Sequence, residues 1–404
     1  MITYSCRQLH LPTRRDVLAE FGRQISESAA ELIPSLQNFP YIFKVLKPEG
    51  ETFSPELDNE LKKRGIILRF VQGNHGYIFS EPTTLRTLAK PGEFNAEEAR
   101  ALAGALSEFF ERRQRTSFTL ATQPGSLQIS GRTLVMGILN CTPDSFYDGG
   151  KFFDHAAATA HGLQLAEAGA DIIDVGGEST RPKGVYGGGA EPVSAAEELR
   201  RVIPVIEALR QKIQIPLSID TYKAQVAAAA VRAGASLVND ISGFQFDAEM
   251  PATVARLGVP VVIMHTKGAP ANMQADPTYE NLLDEVYLYF EKQIALAQSA
   301  GIEADRIIID PGLGFGKRVH DNYEIIRRLP EFRGFGCPIL VGPSRKSFVG
   351  KALNLPPEQR LEGTAAAVAA CVMQGAHLIR VHEVMEMRRV ATIADLIAGR
   401  GELE

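Results

Sequence analysis

The sequence predicts an α/β protein: a (β/α)8 TIM barrel over residues 126–404, preceded by a small α+β domain over residues 1–125. Three observations carry this. Eight short apolar runs recur from Leu134 onward, stretches rich in Ala, Leu and Glu with helical spacing separate most of them, and the chain before residue 125 lacks that regularity. Continuous apolar strands alternating with amphipathic helices mark a parallel sheet covered by helices, and closed barrels of eight such units run to about 250 residues. An open, doubly wound sheet of eight strands is the alternative architecture.

The elements follow in chain order. Residues 14–33 and 95–114 have amphipathic helical spacing, and the second stretch carries Asn95 as N-cap with Glu98 three residues on, a capping-box arrangement. Between them IILRFV and YIFS flank QGNHG, which reads as a β-hairpin. The stretch ATQPGSLQISG reads as a linker into the second domain. The apolar runs are then LVMGILN (134–140), DIIDVGG (171–177), IPLSID (215–220), SLVNDI (236–241), VPVVIMH (259–265), RIIIDPG (306–312), PILVGPS (338–344) and HLIRVH (377–382). The Ala-rich GTAAAVAACVMQGA between the last two reads as a tightly packed outer helix.

Composition sets outer bounds. In 404 residues, 45% hydrophobic and 23% charged side chains are ordinary globular values and exclude a disordered or collagen-like chain. The 43 basic and 48 acidic side chains leave a net charge of −5, so neither nucleic acid nor a membrane is expected as a partner. The N-terminal stretch has no apolar core of signal-peptide length, and no run of ~18 apolar residues occurs. The four cysteines (Cys6, Cys141, Cys337, Cys371) lie far apart with no CxxC pair, which points to free thiols in a cytoplasmic protein.

Active sites of such barrels sit at the C-terminal ends of the strands. Every apolar run here ends in a polar group: Asn140, Asp174, Asp220, Asn239 with Asp240, His265, Asp310, Ser344 with Arg345 and Lys346, and Arg380 with His382. Glycines among the 36 in the chain cluster just behind, as in Gly149-Gly150, Gly187-Gly188-Gly189, and Gly312, Gly314 and Gly316. Arg181, Lys346, Arg380 and His382 suit a phosphate or carboxylate. Asp220, Asn239 and Asp310 suit a planar heterocycle with adjacent N–H groups, and Asn140 beside Asp144 and Asp148 offers hard oxygens compatible with Mg2+. No HExxH, GxSxG or P-loop occurs, and GLGFG lacks the dinucleotide pattern. Asp174 reads as a structural or supporting carboxylate. His265 is as well explained as a core histidine, and Lys317 as a residue of a solvated loop.

The strings GILNCTPDSFYDGG (137–150), GGESTRP (176–182), SIDTYK (218–223), VNDISG (238–243), MHTKG (264–268), IDPGLGFGK (309–317), GPSRKSF (342–348) and IRVHEV (379–384) resemble the dihydropteroate synthase family, in order and with its spacing, over about 134–399. Cys141 stands where the family usually has Val, and the residues before 134 are not part of the family's usual core. The resemblance implies a transferase that condenses 6-hydroxymethyl-7,8-dihydropterin pyrophosphate with p-aminobenzoate, giving 7,8-dihydropteroate and pyrophosphate for folate synthesis. It also implies Mg2+ as cofactor, a homodimer, and a sulfonamide target.

Carried over by position, Asp220, Asn239, Asp310 and Lys346 hold the pterin edge, with Arg380 against its face and Met264 lining the slot. Asn140, Arg380 and His382 take the pyrophosphate, and Mg2+ bridges it to Asn140. Phe146, Thr180, Arg181, Pro182, Phe315 and Ser347 shape the p-aminobenzoate site. Asp148 matches a loop aspartate that helps stabilise the reacting methylene; with Lys346, Arg380 and His382 it makes up the implied catalytic set. An arylamine is a poor nucleophile and no side chain is arranged as a strong base for it, whereas pyrophosphate leaves well once its charge is carried. The expectation is therefore C–O cleavage first, to a methylene cation that the arylamine attacks, with loops 141–150 and 180–190 closing to exclude water. A pterin-dependent methyltransferase shares the barrel and the carboxylates but has no use for the STRP, SRKS and RVH elements. A non-catalytic relative dependent on a partner is at odds with the intact motifs.

Overall fold

A computed structural model of the chain describes residues 5–10, 41–47, 53–64, 66–71, 75–80, 97–122, 125–142, 154–179, 193–268, 273 and 277–401. The chain divides into two compact units: Met1–Thr116 with Arg327–Gly336, and Ser117–Ile326 with Cys337–Glu404.

The first unit holds a four-stranded antiparallel sheet in the order β1-β2-β4-β3, from β1 (Ser5–Gln8), β2 (Tyr41–Leu46), β3 (Ile67–Val71) and β4 (His75–Ser80). The β3–β4 pair is the hairpin expected around QGNHG, in register from Ile67 opposite Phe79 to Val71 opposite His75. Helix α1 (Pro55–Lys63) starts where Ser54 Oγ accepts from the Leu57 N–H, and it buries Leu57 and Leu61, one turn apart. Helix α2 (Glu97–Arg113) occupies the expected 95–114 stretch and buries Leu102, Leu106 and Phe109. The Phe109 ring meets Phe43 of β2 edge-on at 5.5 Å. The stretch 14–33 and the Asn95 cap lie outside the described residues.

A 3-10 segment, Leu329–Phe335, completes this unit from far along the chain. Its Glu331 is fully buried, with Arg328 Nε 2.6 Å and Arg7 Nε 3.4 Å from its carboxylate, and it accepts from the His10 N–H at 2.9 Å. A buried carboxylate is tolerable only with such partners, because desolvation of an unpaired one costs several kcal/mol.

The second unit begins at Ser117. The stretch read as a linker is a β-hairpin, β5 (Phe118–Thr122) paired with β6 (Gly125–Ile129). Phe118 and Leu120 alternate onto one face with Ile129, so the stretch on either side of residues 123–124 is paired strand rather than a tether. These three side chains pack against Leu134, Ile172, Leu237, Leu340 and Leu378, each the first residue of its barrel strand. The hairpin thereby plugs the N-terminal end of the barrel and leaves the other end for chemistry.

The barrel strands are β7 (Leu134–Asn140), β8 (Ile172–Gly176), β9 (Leu217–Asp220), β10 (Leu237–Asp240), β11 (Val261–Met264), β12 (Ile307–Asp310), β13 (Leu340–Val341) and β14 (Leu378–Val381). All pair in parallel in the order β12-β11-β10-β9-β8-β7-β14-β13, and a parallel bridge between Ile309 and Ile339 closes the ring. An open doubly wound sheet would leave two edges; this one does not. Around it run α3 (His155–Glu167), α4 (Ala195–Arg210), α5 (Ala224–Ala233), α6 (Met250–Leu257), α7 (Leu282–Ser299), α8 (Val319–Arg327), α9 (Ser347–Leu353), α10 (Leu361–Met373) and α11 (Val384–Ile397). Asp154, Ser194 and Asn281 cap α3, α4 and α7 through their side-chain oxygens. Among the described residues no helix is long and apolar enough to cross a membrane.

Candidate active site

The last residues of β7, β9, β10, β11 and β12 are Asn140, Asp220, Asp240, Met264 and Asp310. Ladder register sets Gly176 beside Asp220, Asp220 beside Asn239, and Met264 beside Asp310. The predicted residues of these strands therefore share one end of the barrel. Arg380 on β14 binds across it: Nε donates to Asp174 Oδ2 and Nη2 to Asp220 Oδ2, both at 2.6 Å. Asn239 Nδ2 donates to the same Asp174 oxygen at 2.9 Å. Asp174, read as a supporting carboxylate, is fully buried and anchors both.

The charges shift one another. Burial, aided by Asp174 and Glu198, pushes the Asp220 carboxyl up to about 7 despite Arg380 beside it. Burial likewise raises Asp310 to about 6, against the pull of the Gly312 N–H and Lys346. Lys346 is lowered to about 8, by burial first and by the Arg380 charge second. Its Nζ lies 4.0 Å from the centre of the Phe315 ring, a cation–π contact that joins two predicted site residues. Asp310 Oδ1 accepts from the Gly312 N–H at 2.7 Å and turns the loop that carries Phe315. Gly312 is at φ +69°, and a Cβ there would stand 2.0 Å from the His265 carbonyl oxygen.

Lys317 overturns its expectation. It is 3% exposed, not solvated, and its Nζ donates to His265 Nδ1 at 2.9 Å and to the Phe315 carbonyl at 3.0 Å. Burial lowers it to about 7. His265 is a core histidine: burial and the facing Lys317 hold its pKa well below the usual range, and its ring meets Tyr289 edge-on. The pair ties the end of β11 to the loop after β12.

His382 Nδ1 lies 2.9 Å from Ser344 Oγ, which links β14 to the loop after β13. Arg345, at φ +55°, takes a left-handed conformation uncommon for any residue other than glycine, and the following Lys346 enters the site. Arg360 holds that turn: its guanidinium is buried and donates to the carbonyls of Arg345 at 2.8 Å and Leu355 at 3.0 Å. Ser347, half-buried, begins α9 directly after. Ser344 reads in the sequence only as a polar strand end with no role attached, and Arg360 carries no local signal, being 14 residues from the lysine whose carbonyl it also contacts. Lys223 pairs with Glu178 and, at 2.5 Å, with Glu198, while Tyr222 donates to Glu178 at 2.8 Å; this fixes the glutamate of GGESTRP. Phe146, Asp148, Thr180, Arg181 and Pro182 lie outside the described residues, as does Asp144.

A barrel mouth with two buried carboxylates, an amide, a lysine and an arginine clamp can hold a flat, N–H-rich ring and an anion beside it. The profile of the pterin binding enzymes matches residues 136–382. The chain belongs to the pterin binding enzyme family. Within this family it is 47% identical over 267 residues to the dihydropteroate synthase of Synechocystis sp., covering 66% of this chain and 90% of that one. It is 46% identical over 267 residues to the dihydropteroate synthase of Escherichia coli K12, covering 66% and 92%. Among solved structures, the Xanthomonas albilineans dihydropteroate synthase with 4-aminobenzoic acid superposes with a TM-score of 0.64 at 43% identity, covering 70% of this chain and 98% of that one. The Yersinia pestis enzyme in a sulfonamide complex gives 0.65 at 42% identity, covering 70% and 100%.

Proposed function

We propose that this pterin binding enzyme is a dihydropteroate synthase, transferring the pterinylmethyl group of 6-hydroxymethyl-7,8-dihydropterin pyrophosphate to the amine of p-aminobenzoate. The observation that carries the reading is the Asp174–Arg380–Asp220 clamp with Asn239, set at the barrel end where the family's strings converge. A relative crystallised with 7,8-dihydropteroate shares 41% identity and a TM-score of 0.62, which supports the same product here.

In this reading Asp220 and Asp310 accept from the ring N–H groups, Asn239 accepts beside them, and Lys346 donates to the ring oxygen. The Arg380 face lies against the ring, Met264 lines the slot, and Phe315 and Ser347 border the arylamine, with Phe146, Thr180, Arg181 and Pro182 completing that side. Arg380 and His382 carry the pyrophosphate charge as the C–O bond breaks. The electron pair leaves with pyrophosphate, the methylene becomes cationic, and the arylamine nitrogen then bonds to it and loses a proton. Asp148 stabilises the cation.

Asn140 fits a magnesium ligand. It offers a neutral hard oxygen at the end of β7, and Mg2+ characteristically takes one or two protein oxygens while substrate phosphates and water supply the rest. When bound, the ion neutralises pyrophosphate charge. The homodimer has support in exposed apolar side chains on α9, α10 and α11, among them Leu353, Met373, Ile393 and Ile397. A cytoplasmic location accords with four buried free thiols.

The test is an assay of the purified chain with both substrates and Mg2+, read as 7,8-dihydropteroate and equimolar pyrophosphate. A folded protein that makes neither removes the reading. Without p-aminobenzoate, positional isotope exchange in the pyrophosphate is expected; its absence would favour direct displacement.

A further inference from the structure

We propose that Asp174 is a positioning residue that decides which end of the Asn239 amide, and which edge of the Arg380 guanidinium, is presented to the pterin; this rests on the function proposed above. Asp174 lies within β8, beside Ser218 in the ladder and two residues below Gly176, which pairs with Asp220. It is fully buried, and one oxygen, Oδ2, accepts from both Arg380 Nε and Asn239 Nδ2. Its other oxygen, Oδ1, is buried without a hydrogen-bond partner among the described residues. All its directional bonding thus goes to two side chains that reach it from β14 and β10.

The chemistry of the pair sets the polarity. A carboxylate in an arginine ion pair has no proton to give, so only the NH2 end of Asn239 can face it. The carbonyl end of Asn239 is left as an acceptor for a ring N–H. With Nε held by Asp174 and Nη2 by Asp220, the planar guanidinium has its orientation fixed at two corners. Without Asp174, the amide can turn its donor end to the ligand, where it meets another donor. A buried carboxylate of purely structural value would change stability without changing what Asn239 presents.

The experiment is a double-mutant cycle on the full chain, with 6-hydroxymethylpterin as the probe in calorimetric titrations and with thermal melts of every variant. Asp174→Asn is expected to weaken probe binding on the order of ten- to a hundredfold, the range for a hydrogen bond to a charged group. Most of that loss is expected to vanish when the same change is made in Asn239→Ala. Unchanged probe binding in Asp174→Asn, or an equal loss in both backgrounds, overturns the inference. A wild-type chain that does not bind the probe overturns the proposed function, and this inference with it. Should Asp174→Asn fail to fold, hydrogen exchange of the Asn239 side-chain amide in the wild type decides. Protection in both the free and probe-saturated protein supports the inference; loss of protection on saturation overturns it.

Discussion

Asp220 and Arg380 stand three strands apart in the barrel and meet at 2.6 Å, yet the carboxyl titrates far above a normal aspartate. Two residues suited to gripping a substrate grip each other, in a place where burial outweighs their attraction. Ring N–H groups donating to the Asp220 carboxylate would offset the burial that raises it.

Asp220→Asn tests that tension through pH. A carboxyl raised from 3.8 to about 7 holds a proton in the folded state that the unfolded chain has released. Its ionisation therefore removes stability as pH rises from about 4 to 7. The melting temperature of Asp220→Asn relative to wild type should be higher at pH 8 than at pH 5, while condensation activity falls by about 100-fold or more. A difference in melting temperature that is flat with pH would contradict the raised carboxyl.

Lys317→Met has the opposite slope. Burial lowers this lysine to about 7 from 10.5, so between those values the unfolded chain binds the extra proton and wild-type stability rises with pH. The melting temperature of Lys317→Met minus that of wild type should decline from pH 7 to pH 10. The variant also leaves His265 Nδ1 and the Phe315 carbonyl without their donor, at a cost of about 1–3 kcal/mol. Melts in a pH series read both effects.

Gly312→Ala should destabilise by more than about 2 kcal/mol, because its φ is +69° and the new Cβ would overlap the His265 carbonyl. Gly169→Ala is the control: φ is +95° but nothing lies within 4 Å of the added carbon. Chemical denaturation should show a clearly smaller loss for the control. Equal losses would mean that backbone conformation alone, not the close approach, accounts for Gly312.

Deletion of residues 1–116 should not yield a well-behaved barrel. Leu329 and Phe332, both fully buried, lie in the segment that packs on β1 and α2 of the first unit, and the deletion removes both elements. Increased dye binding to exposed apolar surface and a shift to aggregates on size exclusion are the expected results. A monodisperse, dye-silent product would show that the 3-10 segment repacks by itself.

The barrel was legible because strands buried on both faces must be apolar throughout, and LVMGILN and IPLSID can be little else. The site was legible because polar residues closed those runs: Asp220 and Asp310 are the last residues of their strands and Arg380 the last but one. Lys317 was misplaced because a lysine among glycines looks solvated, and only the approach of β11 to β12 supplies His265 as its acceptor. The β5–β6 hairpin was missed because Pro-Gly outweighed a short alternation of Phe118, Leu120 and Ile129. Arg360 had no signal at all, since what it holds is backbone in another turn.

Glu331 follows His10 by 321 positions, and the first unit closes around it. At the ribosome's pace of ~5–20 residues per second, the N-terminal segment must wait on the order of 15–60 s for that carboxylate to be made. For that interval Arg7 has no counter-ion from this cluster and the sheet's neighbouring apolar surface is incomplete. Nascent chains stalled before Glu331 should therefore be the form of this protein that chaperones hold.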